Sequence, residues 1–214
     1  MIENEAGAKH WISTLPEADA LAMERLERLA TLLRDENARQ NLVSAASLDH
    51  IWQRHFADSA QLLRFAIGSN STWLDLGSGA GFPGLVLSIL RPTIKLTMIE
   101  SRAKRSEWLK RCVELLGLSS TSVIHGEIGK IEAVSSAVIS ARALAPLDRI
   151  LELAERFSTA HTLWLLPKGR SAQIELASLT GWRHRFHVEH SLTDGEAGII
   201  VGYLDGQQKG LKPT

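Results

Sequence analysis

The residues of this chain best suited to hold a ligand form a glycine-rich turn directly after an apolar strand. Residues 73–84 read Trp-Leu-Asp-Leu-Gly-Ser-Gly-Ala-Gly-Phe-Pro-Gly, with four glycines in the last eight positions. Glycine lacks a Cβ and tolerates positive φ, so the backbone here can approach a bound nucleoside closely. Pro83 suits the first turn of a following helix, whose free N–H groups would face the ligand. The segment therefore predicts a nucleoside-binding loop.

Two kinds of cofactor loop share part of this spacing. Residues 79–84 match G-x-G-x-x-G, the pattern of dinucleotide-binding loops, and Glu100 follows at the distance expected of an acid that binds a ribose. In dinucleotide enzymes the first glycine directly follows the strand, whereas here Asp75 and Gly77 come first and give D-x-G-x-G-x-G. This spacing resembles the first motif of class I S-adenosylmethionine-dependent methyltransferases. It argues against the alternative, a nicotinamide-dependent oxidoreductase.

The elements that position this loop follow from the spacing of apolar residues. The box Thr14-Leu15-Pro16-Glu17 predicts a capped helix that runs to about Asp35, and Ser47 predicts the start of a second helix. A Gly-Ser-Asn-Ser stretch at 68–71 ends that second helix. We therefore expect a helical cap over residues 1–70.

From residue 71 onward, short apolar strands alternate with amphipathic helices, which predicts a parallel sheet covered on both faces. The predicted fold class is therefore α/β, a doubly wound Rossmann-like sheet over residues 71–214, with the helical cap before it and an antiparallel hairpin at its end. The predicted strands are Trp73–Leu76, Ile94–Ile99, Ser122–His125, Ala137–Ser140 and Thr162–Leu166. The predicted helices are Gly84–Leu90, Arg102–Leu116, Leu147–Phe157 and Ala172–Leu179, and the hairpin pairs Arg185–His190 with Ile199–Leu204.

Composition excludes several classes of function. Lys and Arg number 24 against 24 Asp and Glu, so the chain has no bulk positive charge that would bind nucleic acid indiscriminately. The single Cys112 supplies neither an internal disulfide nor a zinc cluster, and no metal site is expected. No stretch approaches the roughly 20 apolar residues of a membrane span, and residues 1–10 lack a signal-peptide core. We therefore expect a cytoplasmic protein without membrane contact.

Several blocks outside the loop narrow the resemblance. They are Asn41-Leu42, Arg54-His55 with Asp58-Ser59, Glu100-Ser101 with Lys104-Arg105 and Leu109, Ala141-Arg142-Ala143 with Ala145-Pro146-Leu147, and Lys168-Gly169. With the loop they span the 129 residues from Asn41 to Gly169. Over this range the chain resembles the bacterial small-subunit ribosomal RNA guanine-N7 methyltransferases, also called the glucose-inhibited division protein B family. The resemblance implies a class I methyltransferase sheet and transfer of a methyl group from S-adenosylmethionine to N7 of a specific guanine in 16S ribosomal RNA.

The resemblance also implies roles for particular residues. Gly77, Gly79 and Phe82 would line the cofactor, and Glu100 would hold its ribose hydroxyls. Arg142 would face the methionine end of the cofactor or the target base.

The residues that contact the adenine are open between two registers. The family commonly carries a basic residue, Ile or Ala, and Glu just after the third strand, and the best match is Lys130-Ile131-Glu132. An ungapped alignment places Ile128 and Gly129 there instead. We predict Ile131 and Glu132.

Four basic residues are predicted to contact RNA, namely Arg142, Lys168, Lys104 and Arg105. Lys104 and Arg105 belong to residues 102–111, which contain five basic residues and one acidic residue. Each of the four is alternatively a solvated surface side chain. We expect the partner to be small-subunit ribosomal RNA within an assembled or assembling 30S particle.

The side chains around the predicted fourth strand agree with guanine N7 as the acceptor. Residues 140–146 read Ser-Ala-Arg-Ala-Leu-Ala-Pro, where exocyclic-amine methyltransferases usually carry a Pro-Pro-aromatic motif. N7 has a lone pair and no proton to remove, so we expect no general base and assign no catalytic residue. His55 and Asp58 lie three apart on one helix face, a spacing more typical of a contact that fixes the cap. The alternative function is a non-catalytic RNA-binding assembly factor that keeps this fold.

Overall fold

The computed structural model describes residues 1–66 and 72–208, and eight strands form its centre. The strands are β1 (Thr72–Leu76), β2 (Lys95–Glu100), β3 (Thr121–His125), β4 (Val138–Ala141), β5 (Leu163–Gly169), β6 (Trp182–His184), β7 (His187–His190) and β8 (Gly198–Gln207). The α-helices are α1 (Glu5–Ser13), α2 (Ala20–Asn37), α3 (Ala45–Leu48), α4 (Asp58–Ala60), α5 (Gly84–Leu90), α6 (Ala103–Leu115), α7 (Leu147–Ala154) and α8 (Ala172–Ala177). A π-helix spans Trp52–Ala57, and 3-10 turns span Gln61–Arg64, Ile128–Lys130 and Glu155–Phe157.

The sheet order β3-β2-β1-β4-β5-β8-β6 places the glycine-rich turn at a reversal of the strand order. β1 to β5 are parallel, and Trp73 of β1 lies in register with Leu96 of β2 and Val138 of β4. Because β2 and β4 lie on opposite sides of β1, the loops that follow β1 and β4 diverge and leave a crevice at their carboxyl ends. The predicted doubly wound α/β fold is confirmed.

The predicted hairpin is also present. His187–His190 pairs antiparallel with residues 198–201 at the start of β8, and β8 pairs antiparallel with β5 on its other side. The predicted first segment began at Arg185, whereas in the structure Arg185 and Phe186 lie between two short strands. A Cβ at Gly202, which has φ +145°, would lie 2.1 Å from the Arg185 carbonyl oxygen, so the chain bends where the two backbones approach.

The cap differs from its prediction at both helix starts. Thr14 does not cap a helix that follows it; its hydroxyl donates to the Trp11 carbonyl at 2.7 Å and closes α1, which was not predicted. α2 begins instead after Asp19, whose carboxylate accepts from the Ala22 amide at 2.7 Å. Ser44, rather than Ser47, caps the short α3. In both cases the observed cap, Asp19 or Ser44, directly precedes the helix, and its side-chain oxygen accepts from an otherwise unpaired amide of the first turn.

The first residues of the chain are tied to its last third. The Ile2 amide donates to the Leu192 carbonyl at 2.7 Å, and Gln53 Nε2 donates to the Ile2 carbonyl at 2.9 Å and to the Thr193 carbonyl at 3.4 Å. The carboxylate of Glu5 accepts from the Trp52 and Gln53 amides at 3.0 and 2.7 Å, where the π-helix begins. These contacts hold the cap against the loop that follows β7.

The cap and the sheet share one hydrophobic core. One cluster of buried side chains includes Leu29 of α2, Phe56 of the π-helix, Leu85 of α5 and Trp108 of α6.

The predicted boundary between residues 70 and 71, with the Gly-Ser-Asn-Ser stretch around it, lies outside the described residues. Across 1–66 and 72–208, none of the helices combines the length and apolarity needed to cross a bilayer.

Candidate active site

The glycine-rich turn between β1 and α5 forms a tight backbone cradle. Gly77, Gly79 and Gly81 have φ of +63°, +56° and +107°, which residues with a Cβ rarely adopt. A Cβ at Gly77 would also lie 2.5 Å from Cδ1 of Leu144, so the turn needs the missing side chain for space as well as for conformation. The geometry agrees with the predicted binding loop.

A buried carboxylate on β1 holds this loop in place. Asp75 is fully buried, and its Oδ2 accepts from the Gly84 amide at 3.2 Å while its Oδ1 accepts from the Ser140 hydroxyl at 2.7 Å. The indole of Trp73 donates to the same hydroxyl at 2.9 Å. Burial raises the pKa of Asp75 to about 6, and these hydrogen bonds offset that effect only in part. Asp75 thus joins both ends of the loop to β4. Ser140 was not predicted to act here, although a polar residue inside an apolar strand is a signal that pointed to it.

Glu100 joins the end of β2 to the same loop. The side chain is buried, Oε2 accepts from the Gly79 amide at 2.8 Å, and Oε1 accepts from the Arg102 amide at 2.8 Å. A carboxylate oxygen has two lone pairs, so each oxygen can accept one more hydrogen bond. Glu100 therefore lies beside the cradle, and each of its carboxylate oxygens can accept one further hydrogen bond, as an acid that binds a ribose requires.

Phe82 lies between the loop and the cap. Its ring stacks on the His55 imidazole with centroids 4.8 Å apart and planes 7° apart, and the Arg142 guanidinium lies 5.1 Å from its centroid. Phe82 is 3% exposed, so its main contact in this structure is with the cap.

Arg142, just after β4, is held by three groups of the cap. Nη1 donates to Asp58 Oδ2 and to the Arg54 carbonyl, each at 3.1 Å, and Nη2 donates to His55 Nδ1 at 3.0 Å. A guanidinium only donates, so Nδ1 of His55 must be unprotonated. Burial, with the charges of Arg142 and Arg54, lowers the pKa of His55 to about 3, and the imidazole is neutral at physiological pH. The predicted contact of His55 and Asp58 with the main sheet is therefore made through Arg142.

Asp58 is itself fixed by residues that the sequence did not identify. Its Oδ1 accepts from Gln61 Nε2 at 3.0 Å and from the Thr193 hydroxyl at 3.1 Å. Gln61 in turn donates to the Ser191 hydroxyl at 3.2 Å. The loop after β7 thereby helps to orient Arg142.

A cleft of about 670 Å³ opens beside this arginine, at the carboxyl ends of β4 and β5. Its lining includes Arg54, Arg142, Leu144, Pro167, Asp194 and Ile199. Leu144 also lies beside Gly77, so the cleft adjoins the glycine cradle. This arrangement provides one place for a nucleoside cofactor and a second, adjacent place for an acceptor.

The two registers for the adenine contact have different surroundings. Ile131 is half-buried, with Cγ1 3.4 Å from the position of a Cβ at Gly126, and the Gly126 amide donates to the Glu100 carbonyl at 3.0 Å. Ile128 is buried in the core next to α7, and Gly129 and Glu132 are exposed. Ile131 lies beside Gly126, and the contact of Ile131 and Glu132 with the adenine stays a prediction.

The four predicted RNA contacts are not equally accessible. Lys104 is exposed, and Nη1 of Arg105 lies 3.7 Å from the position of a Cβ at Gly79, next to the cradle. The Lys168 side chain is 6% exposed, and its ammonium donates to the Ala145 carbonyl at 2.5 Å and pairs with Glu175 at 2.9 Å. Lys168 is thus engaged inside the protein, and its contact with RNA stays a prediction.

Comparison with known proteins identifies relatives of this chain. The family model described as rRNA small subunit methyltransferase G matches residues 22–191. A relative in Novosphingobium aromaticivorans named ribosomal RNA small subunit methyltransferase G is 49% identical over 203 residues, 94% of this chain and 88% of that protein. A relative of the same name in Erythrobacter litoralis is 50% identical over 94% of this chain and 97% of that protein.

Solved structures agree on the fold. A putative O-methyltransferase from Klebsiella pneumoniae has a TM-score of 0.61 at 15% identity, covering 94% of this chain and 97% of that one. A mutant of MtNAS in complex with S-adenosylmethionine has a TM-score of 0.58 at 19% identity, covering 94% of this chain and 84% of that one. From the family match and the two relatives, we conclude that the chain belongs to the rRNA small subunit methyltransferase G family.

Proposed function

We propose that this protein transfers the methyl group of S-adenosylmethionine to N7 of a specific guanine in small-subunit ribosomal RNA. The observation that carries the proposal is the position of Leu144, which lies beside Gly77 of the glycine cradle and also lines the cleft. A nucleoside held in the cradle and a base held in the cleft would meet at this side chain. Enzymes of this chemistry act mainly by such alignment.

The cradle fits S-adenosylmethionine. The backbone at Gly77 and Gly79 is free of side chains, and Glu100 keeps one lone pair on each oxygen for a pair of ribose hydroxyls. Ile131 and Glu132 are the proposed adenine contacts, and Phe82 closes the cap side of the loop. When bound, the cofactor supplies an electrophilic sulfonium methyl group. The family match gives no support to the nicotinamide-dependent alternative.

The surroundings of Arg142 agree with an acceptor that has no proton to lose. His55 is neutral and accepts from Arg142, and Asp58 is paired with the same guanidinium, so both side chains are used to orient it. Arg142 then presents its charge to the cleft, where it can hold the guanine O6 edge or a phosphate. N7 would form a bond to the methyl carbon with its lone pair while the methyl–sulfur bond breaks and its electron pair stays on the departing thioether. The positive charge passes to the guanine and no proton is lost, so no general base is required.

The proposed substrate is ribosomal RNA in an assembled or assembling 30S particle, met in the cytoplasm. Arg142, Lys104 and Arg105 are the proposed RNA contacts: Arg142 lines the cleft, Arg105 lies beside the cradle, and Lys104 is the exposed residue before Arg105 on α6. A near-neutral chain with local cations suits a structured particle better than bare RNA of any sequence.

The test is transfer of labelled methyl from S-adenosylmethionine to small subunits from cells that lack this gene, with cleavage at N7-methylguanine to map the product. Naked 16S ribosomal RNA serves as the parallel substrate. Label at one cleavable guanine is the expected result. Label without cleavage would show that the methyl group is transferred to an atom other than guanine N7. Tight cofactor binding without label would favour the non-catalytic assembly factor.

A further inference from the structure

The segment between β4 and α7, residues 142–146, forms the wall between the cradle and the cleft. Ala143 has φ +52°, a left-handed conformation that is unfavourable for a residue with a Cβ, so neighbouring contacts must maintain it. At its start, Arg142 is held by the cap. At its centre, Leu144 fills the space that Gly77 leaves. The position of Leu144 therefore depends on what fixes the far end of the segment.

The far end is fixed from β5 and α8. Lys168 donates to the Ala145 carbonyl at 2.5 Å, and Glu175 Oε2 accepts from the Leu147 amide at 2.8 Å. Lys168 and Glu175 pair with each other at 2.9 Å, and the Ser171 hydroxyl donates to Glu175 Oε1 at 2.5 Å. Leu147 is the first residue of α7, so its amide lacks a partner within the helix and the carboxylate of Glu175 supplies one.

The charges of this pair are matched and nearly enclosed. The side chains are 6% and 22% exposed for Lys168 and Glu175. Burial acts to raise the pKa of Glu175, but hydrogen bonds from Ser171 and Lys168, the lysine charge and the Leu147 amide outweigh it and hold that pKa below its usual value. Removing Glu175 leaves the Lys168 ammonium enclosed without a counter-charge, whereas removing both charges does not.

We propose that Glu175 is a positioning residue for methyl transfer: through Lys168 and the Leu147 amide it fixes residues 143–147 and so keeps Leu144 between cofactor and acceptor. In this proposal Lys168 serves the same purpose and does not contact RNA. The effect on catalysis rests on the proposed function, whereas the effect on the segment itself does not.

The variants are Glu175→Gln, Lys168→Met and the double variant, with Glu152→Gln as the control. Glu152 is an exposed acid on α7 paired with Arg149, so its loss removes the same charge without touching the segment. The double variant carries no unpaired buried charge, which keeps the test valid if a single variant folds poorly. The readouts are cofactor Kd, kcat and KM for small subunits, and hydrogen exchange at the Leu147 amide.

We expect the double variant and each folded single variant to lose about tenfold or more in kcat, because small displacements of aligned groups reduce rate strongly. The three losses should be similar rather than multiplicative, since one contact set is broken each time. Cofactor Kd and subunit KM should stay within about twofold of wild type. Leu147 should exchange faster in Glu175→Gln than in Glu152→Gln, because a neutral amide oxygen accepts more weakly than the carboxylate and no longer pairs with Lys168.

Two results would overturn the proposal. If Lys168 contacts RNA instead, Lys168→Met raises the subunit KM, and Glu175→Gln, which frees the ammonium, lowers it. If Leu147 exchange and kcat both match the control, Glu175 positions nothing. A wild-type protein that labels no subunit would reject the proposed function, and the exchange measurement would still decide whether Glu175 fixes the segment.

Discussion

Two glycines with similar backbone conformations occupy very different surroundings. Gly77 and Gly181 have φ of +63° and +78°, so an added Cβ strains either backbone. At Gly77 the Cβ would also meet Leu144 at 2.5 Å, whereas nothing lies within 4 Å of the corresponding position at Gly181. The pair therefore separates the effect of backbone strain from the effect of crowding in the cradle.

We predict that Gly77→Ala and Gly181→Ala each lower the free energy of unfolding by about 1–2 kcal/mol, because both place a Cβ at positive φ. Gly77→Ala should also weaken S-adenosylmethionine binding by at least about tenfold, since the added Cβ occupies the cradle and overlaps Leu144. Urea unfolding and calorimetric titration with the cofactor measure the two effects. Equal cofactor affinity in both variants would place the cofactor elsewhere.

At the level of elements, the glycine loop is held by two groups whose pKa values are shifted in opposite directions. His55, on the π-helix, has its pKa lowered to about 3, and Asp75, at the end of β1, has its pKa raised to about 6. Below about pH 6.5, His55 is protonated in the unfolded state but not in the folded state, so acidification lowers the free energy of unfolding. Over the same range Asp75 is protonated in the folded state before it is protonated in the unfolded state, so acidification raises the free energy of unfolding.

We predict that these contributions are revealed by neutral variants. Between pH 7 and pH 5, the wild type should lose about 2 kcal/mol relative to His55→Gln and gain about 1 kcal/mol relative to Asp75→Asn. Urea unfolding of the three proteins at both pH values gives the differences. Parallel pH dependences in all three would mean that neither side chain is as enclosed as the structure places it.

At the scale of the whole molecule, opposite faces of the sheet carry different helices. α2, α5 and α6 contribute to the core on one face, and α7 packs in a second cluster on the other. Arg102 and Lys104 are exposed at the start of α6, and in the described part of the chain neither takes part in an ion pair. RNA phosphates that approach the start of α6 would meet both cations.

We predict that Arg102→Gln with Lys104→Gln weakens binding to small subunits and reduces the slope of log K against log salt by about 1 for each cation lost. Cofactor affinity should not change, because the Arg102 amide that contacts Glu100 is retained. Arg149→Gln, an exposed cation of α7, is the control. A similar loss of slope in the control would point to diffuse attraction rather than to this face.

The positions of the strands along the chain and the glycine loop could be predicted because their signals are local. Apolar runs of strand length and the spacing of Gly77 and Gly79 are visible in a few residues. The start of α2 was missed because Thr14 and Asp19 both offer a capping oxygen, and only the packed helix decides between them. α1 left a weaker signal, the buried pair Ala8 and Ile12 at helical spacing.

The partners of the site residues could not be predicted because they come from distant parts of the chain. Arg142 was identified as a site residue, but its contacts with Asp58 and His55 join positions 84 and 87 residues apart. Lys168 was predicted to contact RNA because it follows the strand Thr162–Leu166, with a solvated lysine as the alternative. Its enclosure depends on where α8 places Glu175, which no local pattern specifies.

The hydrogen bond between Ile2 and Leu192 constrains the order in which the molecule can be made. Thr193, which supports Asp58, and β8, which completes the sheet beside β5, are translated after nearly all of the other described residues. The cap can collapse early on the emerging chain, but Arg142 acquires its full set of contacts only when these late segments arrive. We therefore expect the cleft to form only after Thr193 and β8 have been synthesised, and a ribosome-stalled chain ending before residue 190 to lack it.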